Sequence, residues 1–325
     1  MSADASLPCR GSLPATGRHA PLTRRAFAAI SLSAVCIAAS WQAQAGTQPT
    51  ETDLVAQARH ALARLEASHG GRCGVLARDT ASGRSIAYRA DERFPLCSTH
   101  KFLTAAAVLS LVDRGQIALG RRVSYSRTEL LDYAPVTRNH VDAGWMTVDA
   151  LCAAAVTWSD NTAANLLLGL IGGPAGWTRY ARSIGDTVSR LDRVEPALNS
   201  AIPGDPRDTT TPAAMARDLD AVLFGDALAA ASRARLKAWM FASPVTGHLL
   251  HAGLPATWRV WDKSGSGEHG SRNDIGILAP PRAAPILASV YYTGSSQAAS
   301  FRDQAVAEMG RIIATTLAGR KDQGA

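Results

Sequence analysis

The sequence predicts an α/β (α+β) fold of two domains: an antiparallel sheet flanked by helices and built from both termini, with an all-α domain inserted between. Three observations lead there. Runs with β-like alternation occur only towards the two ends of the chain, the stretch from Ser98 to about Met240 is alanine-rich and helical in spacing, and a helical pattern lies outside the strands at either end.

Each element has its own reason. From Asp53 to Ser68, the residues Leu54, Val55, Ala58, Ala61, Leu62 and Leu65 recur at helical spacing, which predicts an amphipathic helix. "GRCGVLARDTASGRSIAYRADE" alternates around a glycine-containing turn, the pattern of a β-hairpin. The central stretch is broken by Pro, Gly and Asp loops and holds no convincing strand. Strands return in "TWRVWDKSGSG", "SRNDIGILAPP" and "APILASVYYTG", and Ser296 to Ala318 closes the chain as a helix. The expected boundaries are 46–96 with 242–325 for the sheet domain and 97–241 for the helical one. A functional site is expected in the cleft between them.

The bulk numbers exclude several classes. With 325 residues, 46% hydrophobic and 19% charged, the chain has enough apolar surface for a large core. Its net charge of +7 is misleading, because the first 45 residues hold Arg10, Arg18, Arg24 and Arg25 against Asp4 alone and supply +3 of it. The remaining arginines are dispersed, without runs or interleaved aromatics, so no nucleic-acid partner is expected.

The N-terminus reads as an export signal. "LTRRAFAAISLSAVCIAASWQAQAG" combines Arg24-Arg25, an apolar run from Ala26 to Ala39 and a small-residue cleavage site at Ala43-Gln44-Ala45. The paired arginines resemble a Tat signal, and the run is too short to span a bilayer, which takes about 20 residues. Residues 1–45 are therefore expected to be removed, leaving a periplasmic protein without stable membrane anchoring. Cys9 and Cys36 leave with them, and Cys73, Cys97 and Cys152 are expected to be unpaired.

Chemistry is carried by short motifs. In "FPLCSTHKFL", Ser98 and Lys101 lie one helical turn apart, so Oγ and Nζ can meet, and a desolvated lysine can take a serine's proton. The chain has only Lys101, Lys237, Lys263 and Lys321 among its many arginines, so a lysine stands where a compact, titratable cation is needed. Ser98 at a helix N-terminus also has free backbone N–H groups beside it. "TWSDNTAANLLLG" opens an apolar helix with Ser159-Asp160-Asn161, which helix capping alone would explain. "WDKSGSGEHGSR" ends a strand with Lys263-Ser264-Gly265 and starts the next near Arg272; taken alone it is a solvated hairpin.

Taken in order, Ser-x-x-Lys, Ser-Asp-Asn and Lys-Ser-Gly resemble the signature of the penicillin-recognising serine enzymes, and over nearly the whole mature chain the sequence resembles class A β-lactamases. "RLDRVEPALNSAIPGDPRDTTTP" adds Glu195 and Asn199, matching the Glu-x-x-x-Asn of that class's Ω loop, here 190–208, with Arg193 and Asp208 matching the ion pair at its base.

The resemblance implies β-lactam hydrolysis, a small-molecule β-lactam as the partner, a monomer, and neither cofactor nor metal. Ser98 is implied as nucleophile, the backbone N–H groups of Ser98 and Ser266 as oxyanion hole, and Lys101 or Glu195 as acylation base. Glu195 and Asn199 are implied to hold and activate the deacylating water. Ser159 is implied to relay a proton to the leaving nitrogen beside Lys263. Lys263, Ser264, Gly265, Ser266 and Arg272 would bind the substrate backbone and carboxylate, Asn161 the drug's side-chain amide, and Tyr133 would wall the cleft. Asp160 is expected to be a buried structural acceptor. A DD-peptidase would share the first three motifs, and so would a receptor that is acylated once and stops; Glu195 and Asn199 argue against both.

Departures are few. "DAGWMTV" is one residue longer than the family stretch, and Cys97 faces Gly267 where carbapenem-hydrolysing relatives carry a second cysteine. Val194 replaces a common tryptophan. His248 and His251 are not expected to bind metal, and His100 is expected to project to a helix face away from the Ser98–Lys101 pair.

Overall fold

A computed structural model describes residues 50–318. The expected signal over 1–45 lies outside the described residues. Helix α1 (Glu51–His69) begins at Thr50, whose side chain accepts from Asp53 N while Asp53 reaches back to Thr50, a capping box that fixes the start of the helix. The predicted hairpin follows as β1 (Arg72–Asp79) and β2 (Ser85–Tyr88), then β3 (Phe94–Pro95).

Helix α2 (His100–Asp113) is buried along its first eleven residues, His100 to Ser110, so it is the axis of the helical region rather than a surface helix. Around it come β4 (Arg122–Ser124), α3 (Thr137–His140), β5 (Trp145–Thr147), α4 (Val148–Thr157), α5 (Asn161–Ile171) and α6 (Gly173–Ser183). After the Ω loop come β6 (Thr209–Thr210), α7 (Pro212–Leu223) and α8 (Ala230–Phe241). Three short strands thus lie in a region where none was expected. β4 pairs with β5, and β6 with β3, over only two or three residues, too few for alternation to register as a pattern.

The chain then returns to the sheet through β7 (Arg259–Gly267), β8 (Ser271–Ala279) and β9 (Ile286–Thr293), and ends in α9 (Ala299–Leu317). All pairings in the five-stranded sheet are antiparallel, in the order β2-β1-β9-β8-β7, so a strand from near one end of the chain lies centrally against one from near the other. Every residue of β9 is buried. Its alternate side chains divide between two cores: Leu287 and Tyr291 join the cluster of α2, α4, α5 and α7, whereas Ile286, Ala288, Val290 and Tyr292 join that of α1 and α9.

Candidate active site

The turn bearing Ser98 is built by its neighbours. Cys97–Thr99 form a 3-10 turn leading into α2, and Cys97 has a φ of 45°, a left-handed conformation unusual for a residue with a side chain and typical of functional turns. Asn273 on β8 donates Nδ2 to the carbonyls of Pro95 (2.9 Å) and Leu96 (3.2 Å), tying the turn to the sheet. β7 comes equally close: a Cβ at Gly265 would stand 3.1 Å from Leu96 O, so a side chain here would crowd the turn. That approach sets Ser264, Gly265 and Ser266 beside Ser98.

Lys101 is fully buried at the centre. Its Nζ donates to Ser98 Oγ (2.9 Å), Ser159 O (2.9 Å) and Asn161 Oδ1 (2.5 Å), and stands 2.9 Å from Glu195 Oε1. Ser159, with a φ of 59°, turns its hydroxyl between the two lysines: Lys263 Nζ donates to it at 3.0 Å and Lys101 Nζ at 3.4 Å. Asp160 caps α5 through Ala163 N and also accepts from Val136 N and Thr137 N, the buried acceptor expected of it.

Glu195 reaches this cluster from the Ω loop, with Oε1 3.4 Å from Ser98 Oγ. Burial pushes its carboxyl upward, but the Lys101 ammonium and the His100 ring outweigh that and hold it well below the usual carboxylate range. Asn199 donates Nδ2 to Glu195 Oε2, and its own Oδ1 is a buried acceptor with no protein donor among the described residues. At the neck of the loop, Asp208 accepts from the backbone N–H of Asp192 (2.7 Å) and Arg193 (2.9 Å) and from Arg193 Nε (2.5 Å).

Lys263 is almost wholly buried. Burial, then the neighbouring Lys101 charge, lower its pKa to about 7 despite Asp274, Asp262 and Glu195. Arg272 extends from β8 to Ser266 Oγ, but its Nε is held by Asp303 Oδ1 at 2.5 Å and its Nη2 lies 2.7 Å from His248 Nε2. With half-exposed Tyr133, the residues Ser266, Arg272 and His248 line a cleft of about 390 Å³. Of the predicted substrate contacts, Ser98, Tyr133, Asn161, Ser264, Gly265, Ser266 and Arg272 line this one cleft, whereas Lys263 is buried behind it and is not among the lining residues.

Four residues of the site were not legible beforehand. His100 was expected to point elsewhere; in fact its Nε2 stands 3.3 Å from Glu195 Oε1, and burial lowers its pKa, so a neutral ring donates to the carboxylate. The expectation failed because a helical wheel places the ring on α2 but says nothing of the loop that comes to meet it. Asn165 grips Glu195 at both backbone groups, accepting from N and donating to O at 2.9 Å each. Its one signal was an asparagine one turn beyond Asn161 on an apolar helix. Asp303 and His248 come from distant elements and left no local trace.

With this geometry in hand, comparison with known proteins gives a consistent result. The family model described as "Beta-lactamase enzyme family" matches residues 57–317. Beta-lactamase AST-1 of Nocardia asteroides is 46% identical over 304 residues, 92% of this chain and 97% of that protein. Beta-lactamase CTX-M-8 of Citrobacter amalonaticus is also 46% identical, over 78% of this chain and 86% of its own length. Among solved structures, an ancestral (GNCA) class A β-lactamase is 57% identical with a TM-score of 0.78, covering 80% of this chain and 99% of its own. The putative class A enzyme PenP from Rhodopseudomonas palustris is 51% identical, also with a TM-score of 0.78, covering 80% of this chain and all of its own. The chain belongs to the class A serine β-lactamases, enzymes of β-lactam hydrolysis and resistance.

Proposed function

We propose that the protein opens the β-lactam amide of penicillins and cephalosporins by forming an acyl-enzyme on Ser98, which a water activated by Glu195 then hydrolyses. The observation that carries this reading is the 3.4 Å between Glu195 Oε1 and Ser98 Oγ, a carboxylate poised over the position of the ester. Lys101 Nζ spends its hydrogens on surrounding oxygens, whereas Glu195 is held unprotonated, so Glu195 is the acceptor for the serine proton. Ser98 Oγ attacks the lactam carbonyl, the backbone N–H groups of Ser98 and Ser266 hold the oxyanion, and Ser159, between two lysines, protonates the departing nitrogen and regains its proton from Glu195 by way of Lys101 Nζ, which leaves Glu195 a carboxylate again. Asn199 Oδ1 and Glu195 then orient a water that attacks the ester, the carboxylate taking its proton and passing it to Ser98 Oγ as the ester C–O bond breaks. Lys263 and Arg272 pair with the substrate carboxylate, the first as a point charge and the second as a fork.

On this reading residues 1–45 direct export, through the Tat route, to the periplasm. The mature chain is a monomer in which 97–241 form the inserted helical domain and 46–96 with 242–325 the sheet domain. Among the described residues no helix is long and apolar enough to cross a membrane.

The test mixes the chain from Gly46 onward with a chromogenic cephalosporin, wild type beside Glu195→Gln, following turnover and intact mass together. Fast wild-type turnover and a stalled adduct in the variant are expected. A stoichiometric burst without turnover in the wild type would instead make this a penicillin-binding protein.

A further inference from the structure

Larger than the catalytic cleft, and sharing no lining residue with it, is a cavity of about 550 Å³ beneath the Ω loop. That volume falls within the range of small-molecule sites, about 300–1,000 Å³. Leu198, Ile202, Pro203 and Pro206 give it apolar walls. Ile202 is 46% exposed, a large aliphatic side chain left in water at this edge.

The cations here differ in their partners. Arg72 meets Glu92 at 2.8 Å, and Arg207 forks onto Asp205 with its closest approach at 2.7 Å. Arg93 has no carboxylate among the described residues: its Nη1 donates to two neutral oxygens, Thr209 Oγ1 (2.9 Å) and Val188 O (3.2 Å). The site therefore offers one uncompensated positive charge beside an apolar wall. Its loop side is stiff, since Pro203 and Pro206 fix φ and Asp205 Oδ1 accepts from Arg207 N at 3.0 Å. A preformed wall lowers the ordering cost of binding.

The cavity is one residue away from the deacylation machinery. In the 3-10 turn Ala197–Ser200, buried Leu198 lines the cavity while Asn199 lines the cleft and holds Glu195. We propose that this cavity is a second ligand site for a small amphipathic organic monoanion, its head on Arg93 and its apolar body on Leu198, Ile202 and Pro203, and that occupancy changes the deacylation rate. The second half rests on the roles given above to Glu195 and Asn199; the first does not.

The probe is naphthalene-2-carboxylate, with neutral 2-naphthalenemethanol as charge control, titrated by calorimetry into the mature enzyme and into Arg93→Gln, Ile202→Ser and Arg272→Ala. Saturable binding of the carboxylate is expected in the wild type and in Arg272→Ala. Binding about tenfold weaker is expected for the alcohol and for Arg93→Gln, the effect of losing one charge-assisted hydrogen bond. Ile202→Ser alters an exposed position and is expected to weaken both probes, so the site stays testable if Arg93→Gln folds poorly. Equal affinity in wild type, Arg93→Gln and Ile202→Ser, or binding lost in Arg272→Ala, would overturn the site. Decay of a preformed acyl-enzyme, followed by intact mass with and without the carboxylate, reads the coupling. An altered rate supports it, and an unaltered rate at saturation removes the regulatory half alone.

Discussion

Two lysines close to Ser159 Oγ do different work because their surroundings differ. Lys101 is ringed by oxygens, including a carboxylate at 2.9 Å, whereas Lys263 has two carbonyl or hydroxyl acceptors and a cation nearby. With its pKa lowered to about 7, Lys263 loses its charge as pH rises through neutrality, far below the ordinary lysine value. KM for a carboxylate-bearing penicillin is therefore expected to rise on the alkaline side in a steady-state pH series, with a midpoint near that value. The stability sign is separate: the unfolded chain holds this proton more tightly, so the penalty is full below about 7 and relieved as pH climbs towards 10.5. Glu195 has the same slope in a lower window: its stabilising contribution is present above its ordinary 4.5 and is lost as pH falls below that. On the proposed role of Arg272, the Asp303 carboxylate offsets charge that a substrate carboxylate would meet, so Asp303→Asn is expected to lower KM severalfold at nearly constant kcat. The Ser98–Lys101 pair was legible because both residues lie on one turn. Asp303 was not, because its contact with Arg272 exists only after α9 packs against the sheet.

Among the elements, three of the contacts that hold the Ω loop have testable consequences. Asp208 is almost fully buried and serves two backbone N–H groups together with Arg193, so Asp208→Asn breaks a largely buried pair at a cost of about 3 kcal/mol. Thermal unfolding is expected to shift accordingly, with deacylation slowed more than acylation in rapid-quench experiments. The second hold is Asn165 on α5. Asn165→Ala removes both hydrogen bonds to the Glu195 backbone, and the acyl-enzyme is expected to persist longer in intact-mass measurements. The third is the contact with β7, where an added Cβ at Gly267 would lie 2.6 Å from Cys97 Sγ and 2.7 Å from Asn199 O. Gly267→Ala is expected to destabilise the enzyme by about 1–3 kcal/mol, measured by denaturant unfolding. The family resemblance implied the Arg193–Asp208 hold, whereas the other two depend on which surfaces the loop meets, information carried by no local pattern.

For the molecule as a whole, the sheet built from both ends of the chain was legible because β1, β7, β8 and β9 are β-like runs of eight or nine residues bounded by turn residues. The division of β9 between two cores was not, since a strand buried on both faces reads as a continuous apolar run. The large apolar side chains left in water, such as Trp158, Phe224 and Phe241, belong to separate segments, and light scattering is expected to give the mass of a single chain. The pairing of Arg72–Asp79 with Ile286–Thr293 also sets a schedule for synthesis. A ribosome releases β1 with only β2 beside it, and its other edge stays open until β9 has been made. Through that interval the nascent chain carries a bare strand edge, so faster elongation between β1 and β9 is expected to lower the aggregated fraction, measured by comparing soluble yields from fast- and slow-codon messages.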